Sequence, residues 1–93
     1  MIAFISEDKI LIALILAIVP GTQLGLVSGQ RVRGQIIITY EIHYDEQQDI
    51  YVQETIQAFK EGSLKVDAQI LISKYKYVDS IARARINKFK SEK

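Results

Sequence analysis

Cysteine is absent from this 93-residue chain, which removes disulfides, thiolate metal ligands and a thiol nucleophile together and suits a reducing compartment, the cytoplasm by default. Histidine occurs once, at His43, so the chain cannot assemble a multi-histidine metal site or a serine–histidine relay with a spare imidazole. A surplus of either charge is missing too: twelve basic and eleven acidic residues leave +1. That sum offers no overall field for a long polyanion, so nucleic acid is not an expected partner. What is present, 48% hydrophobic and 25% charged residues, is the composition of a globular domain. The length suits one domain over residues 1–93 with a single modest core.

One apolar run stands out. Residues 10–30 carry no charge, and 10–19 are unbroken hydrocarbon. A membrane span needs about 20 predominantly apolar residues, and this run stops at Pro20-Gly21. Glu7 and Asp8 precede it, where a signal peptide carries basic residues. A buried core helix is the preferred reading, and a single span over Ile10 to Val27 in a small membrane-complex subunit is the alternative. Ile2 to Ile5 predicts a strand covered on both faces, Ser6 an N-cap, and Glu7 to Val19 a helix closed by Pro20 and Gly21.

Four of the five glycines fall between Pro20 and Gly34, which predicts a flexible, exposed connection over 20–34. Gln35 to Tyr44 alternates, with Ile36, Ile38, Tyr40, Ile42 and Tyr44 on one face, and its first half at least reads as a strand. Asp45 or Asp49 caps a following helix whose Val52, Ile56 and Phe59 face one way and which ends at Gly62. Leu64 to Ser73 alternates except at Leu71, and Ile70-Leu71-Ile72 suggests a third strand. From Lys74 on, Tyr75, Val78, Ala82, Ile86 and Phe89 recur at helical spacing. The resulting alternation of strand and helix predicts an α/β fold. It is a three-strand parallel sheet in order 2-1-3 with helices on both faces, Rossmann-like or receiver-like.

These blocks resemble the F subunit of the rotary vacuolar-type and archaeal-type ATPases. The similar segments are Ile2-Ala3-Phe4-Ile5, Ser6-Glu7-Asp8, the apolar helix to Gly21, Phe59-Lys60, Ile70-Leu71-Ile72, and the arginine pair Arg83 and Arg85 in the last helix. Ser6, Ala13 and Ala17 stand where that family has glycines. The chain stops at Lys93, before the family's fourth strand and further helix, as a divergent or truncated member would. The resemblance implies a non-catalytic central-stalk rotor subunit. Such a subunit docks on a coiled-coil shaft subunit, turns beneath the catalytic hexamer, and couples ATP hydrolysis to proton or ion transport. It is cytoplasmic, peripheral to a membrane complex, and has no cofactor, metal or small-molecule substrate.

Within that reading Ser73, Tyr75, Lys76, Arg83 and Arg85 are the candidate partner-binding residues. Tyr75 and Tyr77 among lysines have the aromatic and cationic character of an interface hot spot. The basic run Lys74, Lys76, Arg83, Arg85, Lys88, Lys90 and Lys93 reads equally as a solvated helix face or a surface for phosphates or an acidic protein. His43 reads as a polar strand-end residue before a catalytic one. Asp45, Glu46 and Asp49 read as a turn and helix cap before a cation site. Ser6-Glu7-Asp8 would lie at the carboxyl edge of a parallel sheet, where receiver-type domains hold phosphoryl acceptors, but only Ser73 and Lys74 stand where the matching groups belong. No glycine fingerprint for a dinucleotide follows Ile5.

Overall fold

The computed structural model describes residues 1–91, the side chains of Phe89 and Ser91 excepted. The chain runs β1 (Ile2–Ser6), α1 (Lys9–Ile18), β2 (Gln23–Val32), β3 (Gln35–Tyr44), a short 3-10 turn (Glu46–Gln48), α2 (Asp49–Glu61) and α3 (Ala68–Ser91). The sheet has three strands in order β1-β3-β2, and both pairings are antiparallel. This overturns the expected parallel 2-1-3 sheet. β1 and β2 run the same way with β3 inserted between them, so β1-α1-β2 is a split crossover.

Two misread segments account for the difference. The glycine-rich stretch 20–34 holds β2, because its glycines fill positions in a strand: Gly29 pairs with Ile38, and Gly25 lies in a bulge between Leu24 and Val27. A Cβ on Gly25 would come within 2.8 Å of the His43 ring, so the bulge is the place where backbone and imidazole meet. Arg33 and Gly34, both at positive φ (52° and 82°), form the two-residue turn that twists β2 into β3. Arginine in that conformation costs on the order of 1 kcal/mol relative to glycine.

The expected third strand, Ile70 to Ile72, is helix. Asp67 starts α3: its Oδ1 accepts from Gln69 N at 2.9 Å and Ile70 N at 3.2 Å, and its carbonyl from Leu71 N at 3.0 Å. Leu71, which broke the strand alternation, belongs to a series at 71, 75, 78 and 82 that holds helical spacing, with Val78 and Ala82 fully buried. Whether Phe89 continues that stripe lies outside the described side chains.

The cap of α1 moves by two residues from the expected Ser6. Asp8 Oδ1 accepts from Ile10 N and Leu11 N, both at 3.1 Å, while Ser6 Oγ accepts from Asp8 N at 3.0 Å. Five consecutive residues, Leu11 to Ile15, are buried, as an apolar helix between a sheet and two other helices requires. α1 packs on α3, α2 and the sheet. Its ten residues span about 15 Å, and among the described residues no helix is long and apolar enough to cross a membrane. The alternative span from Ile10 to Val27 is interrupted, since α1 ends at Ile18 and β2 begins at Gln23.

α2 ends as its sequence predicts. Gly62 sits at φ 72°, and Ser63 N donates to Ala58 O at 3.0 Å, closing the last turn. The core gathers Ile12, Ile15 and Val19 of the α1 segment, Val27, Tyr40, Ile42 and Tyr44 from the sheet, Val52 and Ile56 of α2, and Val78 and Ala82 of α3. The alternation read in residues 36–44 is therefore correct in phase, with Tyr40, Ile42 and Tyr44 on the helix-covered face. The opposite face of the sheet carries Ile5, Glu41 and His43 and is open, with Ile5 57% exposed.

Candidate docking site

Among the described residues α3 is the only long helix: its 24 residues reach about 36 Å, while the α1 it packs against is ten residues long. Its first turns therefore have little to bury against. Ile70, Ile72 and Tyr77 are about half exposed, and Tyr75 is partly exposed. Ile72, Tyr75 and Asp79 follow one side of the helix, and Ile70, Ser73 and Tyr77 the opposite side.

The first of these sides forms a groove with α1. Ile10, Leu71, Ile72, Tyr75, Lys76 and Asp79 line it, with a volume of about 440 Å³. Its floor is apolar and one wall is charged. Lys9 Nζ lies 2.7 Å from Asp79 Oδ1, and Arg83 Nε lies 2.7 Å from Asp79 Oδ2. The Lys9 ammonium also sits 5.4 Å from the centroid of the Tyr75 ring. The hydrogen bond from Lys9, followed by that from Arg83, lowers the Asp79 carboxyl from its ordinary value of 3.8, and the same bond to Asp79 raises Lys9 above 10.5. Asp79 is thus held by two cations, one of which also faces the Tyr75 ring.

The five sequence-chosen residues divide among three places. Tyr75 and Lys76 line the groove. Ser73 is exposed on the opposite side of α3. Arg83 reaches back to Asp79, and Arg85 borders a separate cleft with Ile81, Ala84 and Lys88. Ile10 and Ile72 were missed. Sequence pattern places Ile10 in a buried helix and Ile72 in a buried strand, and only the α1–α3 pairing brings the two together. The signal present in the sequence was Asp67, a helix cap standing ahead of Ile70.

The other candidates have local roles. His43 Nε2 and Glu41 Oε1 pair on the open sheet face. Asp49 Oδ1 accepts from Tyr44 Oη at 3.1 Å, and Asp45 N donates to Gln48 Oε1 at 2.8 Å, so the acidic turn ties β3 to α2. Among the described residues no three His, Cys, Asp or Glu side chains are grouped to hold a metal ion. Ser6 ends β1 and Glu7-Asp8 follow it, but in an antiparallel sheet, with the Asp8 carboxylate committed to the start of α1. A second cleft of about 460 Å³ lies between α1 and α2, lined by Ile18, Val19, Pro20, Tyr51, Glu54, Thr55 and Leu64. No family model matches the sequence, and neither a curated protein nor a solved structure matches the chain.

Proposed function

We propose that this protein is a non-catalytic docking domain that receives an amphipathic helix or coiled coil in the groove between Ile10 and the first half of α3. The observation that carries the reading is apolar and aromatic surface left exposed beside a fixed charge network: Ile10 and Ile72 are each 52% exposed, next to Tyr75. Apolar anchors in a groove rimmed by Lys76, Asp79 and Lys9 suit the helix-in-groove mode, in which hydrophobic residues fill the floor and rim charges orient the partner. Such a domain would work in the cytoplasm, which its lack of cysteine suits.

A rotor-stalk subunit docked on a coiled-coil shaft is one specific form of this reading. Its support is sequence resemblance alone. The parallel sheet and the strand at Ile70 to Ile72 on which that resemblance drew are absent from the fold, so the proposal kept is the docking itself. Size-exclusion chromatography with a candidate shaft coiled coil tests both levels. Co-elution that is lost in Ile72→Asp and Tyr75→Ala supports the groove. Co-elution unchanged in both variants removes it.

A further inference from the structure

The two edges of the sheet are not alike. β2 carries a bulge between Leu24 and Val27, and Arg31 near its end. A bulge and a charge are devices that keep a second chain from adding to an edge. β1 has neither. Ile2-Ala3-Phe4-Ile5-Ser6 holds no charge, proline or glycine, and its pairing with β3 runs unbroken from Ile2 opposite Tyr44 to Ser6 opposite Tyr40. Among the described residues no strand lies on its outer side. The order of elements explains the gap. β1-α1-β2-β3-α2 is the opening of a split β-α-β-β-α-β unit, whose last strand runs antiparallel along β1, but here α2 is followed by α3.

We propose that a second copy of this chain fills that place, its β1 pairing antiparallel with the first about a two-fold axis, so that two three-stranded sheets become one of six strands. An axis through Phe4 overlaps all five residues: Phe4 faces the second copy's Phe4, Ile2 faces Ser6, and Ala3 faces Ile5. The pleat is respected, because even residues meet even residues on the helix-covered face and odd residues meet odd on the open face. Ala3 and Ile5 are both exposed on that open face, Ile5 by 57%. Across the seam the small side chain of one copy lies against the large one of the other, and no charge meets a like charge. A strand from a different protein would have to bring the same parity and the same neutrality, both of which β1 supplies itself. The five residues extend about 17 Å, a shorter seam than the about 800 Å² per partner of a standard interface provides, so the dimer is a weak one.

Sedimentation velocity of the full chain tests this. Between about 5 µM and about 500 µM, a range suited to weak association, the mass is expected to rise from 10.6 kDa toward twice that value. Ala3→Lys combined with Ile5→Lys sets lysine against lysine on both sides of the axis and should raise the dimer dissociation constant at least about tenfold. Ala3→Glu combined with Ile5→Lys sets opposite charges there and should bring it back to within about threefold of wild type. A second measurement keeps the register testable should either double variant fail to fold. The chain has no cysteine of its own, so a mixture of Ala3→Cys and Ile5→Cys chains should cross-link under mild oxidation several-fold faster than either chain alone. The proposal is overturned by a mass of 10.6 kDa at every concentration, the result expected if the edge takes a strand of another protein. It is overturned equally by a dimer that the double lysine variant leaves unchanged, or by cross-linking as fast within a single variant as in the mixture. Ile72→Asp should leave dimerisation as it was, which separates this outcome from the fate of the docking groove; loss of the dimer in that variant would place self-association in the groove and overturn the pairing of β1.

Discussion

α1 and α3 are both rich in isoleucine, yet one is the centre of the protein and the other is half outside it. α1 is covered by the sheet, α2 and α3 over Leu11 to Ile15, so the hydrocarbon of those residues is removed from water and Ile10 at its start is the exposed exception. α3 meets the same core through Val78 and Ala82, but its first turns run beyond what can cover them, while its later turns lie beside the β2–β3 hairpin. Hydrophobicity alone therefore does not separate core from surface here. The lengths of neighbouring elements do.

The sharpest way to break this contrast is to cut into α1. Ile15→Ala removes a fully buried side chain and is expected to cost about 3–4 kcal/mol in urea unfolding, enough to unfold a marginal domain. Val78→Ala, where α3 is as buried as α1, should cost about 2 kcal/mol. If it costs no more than a surface change, α3 is not part of the core. The caps come next. Asp8→Ala and Asp67→Ala should each cost about 1 kcal/mol, but hydrogen exchange should differ: loss of the Asp67 cap frays the exposed turns through Ile72, whereas the loss at α1 is shared with the whole core.

Ile72→Asp is expected to change stability by no more than about 0.5 kcal/mol, as an exposed position should, while abolishing partner binding. The smallest effect concerns Asp79, whose folded-state pKa is lowered by Lys9 and Arg83. A lowered acid pKa contributes stability above the ordinary 3.8, and that contribution is lost as pH falls through the lower folded value. Lys9, raised by the same bond, contributes below 10.5 and loses that contribution as pH climbs through its raised value. Asp79→Asn should flatten the acid limb of a stability–pH profile by slightly lowering the neutral plateau, with the acid end level with wild type.

Elements defined by local chemistry were legible in the sequence: the β3 alternation, the stop at Gly62, and the apolar α1 ending at Pro20, although its cap is Asp8 and not the expected Ser6. Topology was not. Glycines at Gly25 and Gly29 mimic a loop unless their strand partners are known, and Ile70-Leu71-Ile72 fits a strand and a helix alike over three residues. The helical assignment of 70–72 depended on Asp67 upstream and on contact with Ile10 in a distant element. Tyr75 and Lys76 were found from composition, because aromatic and cationic residues side by side suit an interface wherever the fold puts them.

The insertion of β3 between two strands that precede it sets an order of assembly. A chain synthesised only as far as Val32 holds β1 and β2 with a strand-wide slot between them and no ladder bond in either. The slot closes when the Arg33-Gly34 turn brings β3 back against β2, and β1 gains its partners only then, across some forty residues of sequence. Nascent or truncated chains ending inside β2 accordingly carry two unsatisfied strands, and it is there that premature association with other chains would begin.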